Sequence, residues 1–195
     1  MTDFSKSAPV DREFNGPLDS HEVRDVKPFV DFGSLRVFGQ ETLALRLEIE
    51  ESTQRVVAVT LEQSGSTLQL QAFAAPRNDG LWHEIRAELL TSIVDQGGSA
   101  TDQVGVFGPE LLAIMPSAEG SAELPRVLRF IGVDGPRWFL RGIVEGLATS
   151  DPLAAVAIDD LFRSIVVFRG DDPVPPRELL ELKIPDGVIA PPRSI

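Results

Sequence analysis

Leu43, Leu45, Leu47 and Ile49 alternate with Ala44, Arg46, Glu48 and Glu50. A period of two sends successive side chains to opposite faces, so this stretch can bury one clean apolar face only as a β-strand. The period returns where Leu68, Leu70, Ala72 and Ala74 alternate with Gln69, Gln71 and Phe73. Between them lies an apolar run over 56–61 and the turn-forming Ser64-Gly65-Ser66. Three strands joined by short connections read as an antiparallel meander, and an all-helical fold is ruled out.

The period then changes. Leu81, Trp82, Ile85, Leu89, Ile93 and Val94 recur at helical spacing. Asn78 or Asp79 is the expected N-cap, and Gly97-Gly98 the expected stop. A strand pair is expected over 103–107 and 111–115 around Gly108-Pro109, then a polar loop over 117–125. A hairpin is expected over 126–133 and 137–144 around Asp134-Gly135-Pro136. Asp151-Pro152 marks a second helix start, an acidic cap followed by proline where its missing N–H costs nothing. That helix runs to about Phe162 and yields to a strand over 164–169; Asp171-Asp172-Pro173 and Pro175-Pro176 end the regular structure. The order strand, strand, helix, strand thus occurs over 55–107 and again over 126–169. The expected fold is α+β, a mostly antiparallel sheet with helices on one face, and the recurrence suggests two pseudo-repeated ββαβ halves. Residues 1–28, polar and without periodicity, read as a mobile tail; 29–183 as a single α+β domain; 184–195 as an extended proline-rich tail.

Composition removes whole classes of function. Thirty acidic residues against eighteen basic ones give a formal charge of -12. That sign repels phosphate backbones, so a nucleic-acid partner is disfavoured. With no cysteine there is no disulfide, thiolate metal site or cysteine nucleophile, and with no tyrosine there is no phenolic acid or base. Two histidines, His21 and His83, argue against a histidine-based metal site, and no cofactor is implied. The apolar runs fall far short of the roughly 20 residues that span a bilayer. No signal peptide is readable at the N-terminus, so a cytoplasmic location is expected. The chain carries no Walker-type phosphate loop, Gly-x-Ser-x-Gly elbow, Ser-x-x-Lys or His-Glu-x-x-His.

The most distinctive stretch is the hairpin over 126–142, where arginines sit among aromatic residues in an otherwise acidic chain. A two-residue turn at Asp134-Gly135 would set Ile131 opposite Trp138, with Arg129 diagonal to Trp138 and Arg137 and Arg141 on one face. Arg129, Arg137, Trp138 and Arg141 are therefore the candidate binding residues, fit to grip an anion or an acidic peptide, or equally to anchor the chain's own carboxylates. Arg163, Arg169 and Arg177 are candidates to join the patch. His83 is the candidate general base by residue type. Asp159-Asp160 reads as a solvated helix face, because adjacent helical residues point about 100° apart.

The runs Gly132-Val-Asp-Gly-Pro-Arg-Trp-Phe-Leu-Arg-Gly142, Val166-Val-Phe-Arg-Gly170 and Pro175-Pro-Arg-Glu178 resemble the signature stretches of an uncharacterised actinobacterial family, a domain of unknown function with a DGPRWFLRG signature. Phe107-Gly-Pro-Glu-Leu111 and the region 76–84 fit it too. The resemblance spans residues 30–188 and implies an actinobacterial cytoplasmic protein; it brings no catalytic residues. Taken together, these features favour a non-enzymatic binding or adaptor protein whose partner is a protein, another copy of the chain included. The alternative is an enzyme acting on a small anionic substrate held by the arginine hairpin.

Overall fold

The computed structural model describes residues 5–24, 28–39, 43–117 and 124–185. Seven antiparallel strands form the main sheet: β4 (Ala44–Glu50), β5 (Arg55–Gln63), β6 (Ser66–Ala74), β7 (Ser99–Gly105), β8 (Gly108–Met115), β9 (Arg126–Asp134) and β10 (Trp138–Gly146). Their order across the sheet is β4-β5-β6-β10-β9-β8-β7. A smaller sheet, ordered β1-β11-β3-β2, contains β1 (Leu18–Asp19), β2 (Phe29–Asp31), β3 (Leu35–Phe38) and β11 (Val166–Val167). Three α-helices accompany them: α1 (Arg12–Asn15), α2 (Trp82–Asp95) and α3 (Pro152–Arg163). Among the described residues, no helix is long and apolar enough to cross a membrane. The α+β class and the largely antiparallel pairing are as the sequence implies.

Each face of the large sheet buries its own core. Directly opposed residues of an antiparallel pair share a face. Leu68 faces Val144, Leu70 faces Gly142 and Ala72 faces Leu140. That face packs against Ile158, Leu161 and Phe162 of α3, against Leu35 and Val37 of β3, and against Phe32 between β2 and β3. The other face presents Leu111, Phe130 and Phe139 to Leu81, Trp82 and Ile93 at α2. Trp82 stacks on Phe139, which stacks on Phe73, with ring centroids 5.7 and 6.0 Å apart. Gly132 is required beneath them, because a Cβ there would lie 2.4 Å from the Trp82 ring.

The helices therefore lie on opposite faces, not on one, and the pseudo-repeat does not hold. A two-fold axis exchanging the antiparallel neighbours β6 and β10 would run normal to the sheet and keep both helices on the same side. In addition, β7 joins the large sheet whereas β11 joins the small one.

Helix ends show a second difference. Asp151 caps α3 as its sequence implies, accepting from the Ala154 N–H at 2.8 Å with Pro152 next in line. At the C-terminus of α2, Gly97 takes φ 79° and donates to Val94 O, while Gly98 donates to Ile93 O. The N-terminus of α2, however, is capped by neither Asn78 nor Asp79. Asp134, from the distant end of β9, accepts from Leu81 N at 2.8 Å and Trp82 N at 3.4 Å. Burial pushes the Asp134 carboxyl up, against the pull of its backbone N–H partners.

The segment read as a mobile tail is laid against the domain over residues 5–24. Ser7 N donates to Asp134 Oδ2 at 2.9 Å, and Asp134 N donates back to Ser7 O at 2.8 Å. β1 pairs in parallel with β11, Leu18 opposite Val166. Arg12 is buried, grips both oxygens of Glu22 at 2.8 and 2.6 Å, and lies over the Trp138 ring. These attachments are polar, so a search for apolar periodicity misses them. Of the other expected features, the β7–β8 turn falls at Val106-Phe107, two residues before the expected Gly108-Pro109. The chain beyond the proline run returns to the sheet, with Leu180 N donating to Ala72 O. The expected tail over 184–195 lies outside the described residues from 186 onward, as do 118–123 of the polar loop.

Candidate functional site

The hairpin that carries the candidate residues is longer in its turn than expected. Asp134 faces Phe139 and Ile131 faces Gly142, so the two-residue turn at Asp134-Gly135 is replaced by a loop closed from Gly135 N to Trp138 O. A Cβ on Gly135 would lie 2.1 Å from the Trp138 ring, which explains glycine at that position. Arg129 consequently sits opposite Val144, not diagonal to Trp138.

Arg129 is nearly inaccessible and fully engaged. Its Nε and Nη2 donate to Glu110 Oε2 at 2.9 and 2.8 Å, and its Nη1 donates to Asp159 Oδ1 at 2.8 Å. The side chains of Arg129 and Glu110 are 7% and 4% exposed. Gln103 donates to the other Glu110 oxygen at 2.7 Å. Burial works against the guanidinium charge, but the hydrogen bonds it donates to Glu110 and Asp159 outweigh it and hold the Arg129 pKa up. Asp159 is therefore not a solvated helix residue; it ties α3 to the sheet. Trp138 is fully buried and donates its indole N–H to Asp19 at 2.8 Å. Arg141 is half-buried on the opposite face, lies over Phe73 and donates to Gln71; its Nε is buried without a partner among the described residues.

Arg137 has different surroundings. It projects from the hairpin turn into a cleft of about 210 Å³ lined also by Asp19, His21, Glu22, Arg169 and Asp171. Its side chain makes no hydrogen bond or ion pair with any described residue. Arg169, from the stretch after β11, is anchored through Nη1 to Asp172 O at 3.0 Å and Nη2 to Val174 O at 3.4 Å, while its Nε is buried without a partner among the described residues. Burial, and then the neighbouring Arg137 charge, lower its pKa. Two guanidinium groups thus share one small cleft, an arrangement suited to an anion.

The carboxylates around this cleft are largely committed. Glu22 is held by Arg12 on both oxygens. Asp19 accepts from Trp138 through Oδ2, and through Oδ1 from the His21 backbone N–H at 2.9 Å, with His21 Nδ1 at 2.8 Å. Burial raises the Asp19 pKa, but these three hydrogen bonds outweigh it and hold the carboxyl below the usual range. The His21 side chain, 87% exposed, also lines the cleft.

Of the four candidates, then, the structure brings only Arg137 to an accessible site. Arg169 joins it; Arg163 instead lies beside Asp11 and over Phe107, and Arg177 pairs with Glu84 and Glu88. His83 is half-buried in α2 and lines a separate, broader concavity whose described lining comes from that helix alone. His83 and Arg137 line different clefts. His21 and Asp19 were missed because they fell in the presumed tail; the legible signal was the Asp-x-His spacing, which suits an Asx-turn. Among the described residues, no three acidic or histidine side chains gather as a metal site.

No curated protein and no solved structure matches the chain. A family model described as "Protein of unknown function (DUF3710)" matches residues 16–190, which covers both sheets, α2, α3 and the Arg137 cleft, and the chain belongs to that family.

Proposed function

We propose that this chain is a cytoplasmic, non-enzymatic binding protein that receives an anionic group of a protein partner in the cleft between Arg137 and Arg169. The observation that carries this reading is the pairing of two guanidiniums from separate elements, one of them without any partner among the described residues. Like charges held together are stabilised by an anion between them. The cleft, at about 210 Å³, is below the roughly 300–1,000 Å³ that encloses a whole small molecule. It suits one charged group at the end of something larger.

A second reading, an enzyme for a small anionic substrate, draws on the Asp19–His21 pair, in which a carboxylate orients an imidazole as general bases are commonly oriented. Glu22 and Asp19 in the cleft are already committed to the chain's own donors, which favours binding. The test is titration of the full chain with acetate, sulfate and phosphate, followed by the amide NMR signals of His21, Arg137 and Gly170. Saturable shifts with any of the three, absent in an Arg137→Ala/Arg169→Ala chain of unchanged fold, are expected. Identical responses from both chains would remove the cleft as a site.

A further inference from the structure

The large sheet ends in two edges, β4 on one side and β7 on the other, and among the described residues neither has a strand beyond it. The outer edge of β4 therefore offers a row of backbone N–H and C=O groups to another strand. Edges are commonly blunted with a lysine, a proline or a bulge. β4 contains no lysine or proline, and the irregularity in its ladder falls on β5, where Val57 is the extra residue between Val56 and Ala58. Leu45 and Leu47 are half-buried against the core, and Ile49, on the same face, is 42% exposed. Arg46, Glu48 and Glu50 occupy the opposite face.

A two-fold axis normal to the sheet pairs β4 antiparallel with a second copy and keeps each face continuous. Centred on Leu47, it sets Leu47 against Leu47, Leu45 against Ile49, Arg46 against Glu48 and Ala44 against Glu50. The whole strand is then paired, apolar residues meet apolar residues, and symmetry repeats the Arg46–Glu48 pair. Opposite charges directly across a ladder stabilise it, and like charges destabilise it. Both side chains are free enough to engage. Arg46 reaches Glu62 only at 3.8 Å, with the two side chains 66% and 53% exposed. Glu48 accepts from Thr60 through one oxygen and from Gln69 through the other, which leaves lone pairs for a guanidinium. Other centres do worse. Centring on Arg46 or Glu48 sets that charge against its own copy, centring on Ile49 sets Glu48 against Glu50, and centring on Leu45 leaves most of the strand unpaired. The β7 edge (Ser99–Gly105) has Asp102 as its one charged residue, already bound to Arg86 at 2.7 Å, so pairing there gains no such match.

We infer that β4 is the interface of a symmetric homodimer, in which two large sheets join edge to edge through antiparallel β4 strands in register at Leu47. The Arg137 cleft uses none of these residues, so the two sites stand or fall separately. A single strand pair lies at the small end of protein interfaces, so the dimer should be weak and concentration-dependent. The test is sedimentation equilibrium of the full chain from micromolar to millimolar protein, for wild type, Arg46→Glu and Glu48→Arg. Wild type should pass from monomer to dimer. Each variant alone places like charges across both pairs and should dimerise at least ~10-fold more weakly. An equimolar mixture of the two variants restores both opposite-charge pairs, so a heterodimer of about wild-type affinity is expected. Amide exchange over residues 44–50 should slow as wild-type concentration rises. Both substituted side chains are exposed, so the fold is retained; should Glu48→Arg nevertheless fail to fold, Arg46→Glu and the amide exchange decide. A wild type that stays monomeric throughout overturns the inference and leaves the edge to a strand of a different protein. A dimer that Arg46→Glu does not weaken, or that leaves the β4 amides unprotected, puts the interface elsewhere and overturns it. Folded variants that do not recover on mixing overturn the register.

Discussion

Arg129 and Arg137 come from the same hairpin and meet opposite circumstances. Arg129 is enclosed by Glu110 and Asp159, with Gln103 completing the shell. Arg137 stands in an open cleft beside another arginine and makes no ion pair with a described carboxylate. The contrast lies in what packs nearby. β8 and α3 deliver carboxylates to the face that Arg129 shares, whereas near Arg137 the carboxylates of Asp19 and Glu22 are drawn to other donors. An arginine satisfied by its own chain holds the fold together; one left with hydrated donors is available to a ligand.

The largest test of this contrast is Arg129→Ala. It leaves Glu110 and Asp159 buried without a counter-charge and should cost about 3–5 kcal/mol in urea denaturation. A loss below about 1 kcal/mol would erase the distinction between the two arginines. Next comes the acid behaviour of Asp19. Its folded-state pKa lies below the unfolded value, so its stabilisation is complete above the unfolded pKa and is lost as pH falls through the folded one. The stability advantage of wild type over Asp19→Asn should therefore be constant near neutrality and shrink below the ordinary aspartate range, as read from urea midpoints. A gap that stays constant into strong acid would mean that the Trp138 and His21 contacts do not favour the charged form. Smallest is Arg137→Ala, which should change stability by no more than about 0.5 kcal/mol. A loss of several times that would make Arg137 structural, like Arg129.

Much of the architecture was legible because it rests on local pattern. The alternation over 43–50 and 68–74, the Asp151-Pro152 helix start and the Gly97-Gly98 stop all express backbone preferences that a few neighbouring residues dictate. The site was legible only in its residue types. Arg137 could be singled out, but nothing in the chain order of Asp19, Arg137 and Arg169 signals that they meet. The hairpin register slipped from expectation because Asp134 continues as a strand residue, held there by Ser7 and by the N-terminus of α2. The presumed tail was misread because its anchors are polar groups on distant elements.

The sequence alone determined a mostly antiparallel α+β chain, acidic, without cysteine chemistry, and with an arginine–aromatic hairpin at its centre. Those properties follow from composition and from short-range periodicity. Tertiary structure decided which face each helix covers, that Asp134 rather than Asn78 or Asp79 caps α2, and that Arg129 is closed while Arg137 is open. The physical reason is one of range. Backbone preference acts over a few residues, whereas the fate of a charge depends on every polar group that folding brings within hydrogen-bonding distance of it.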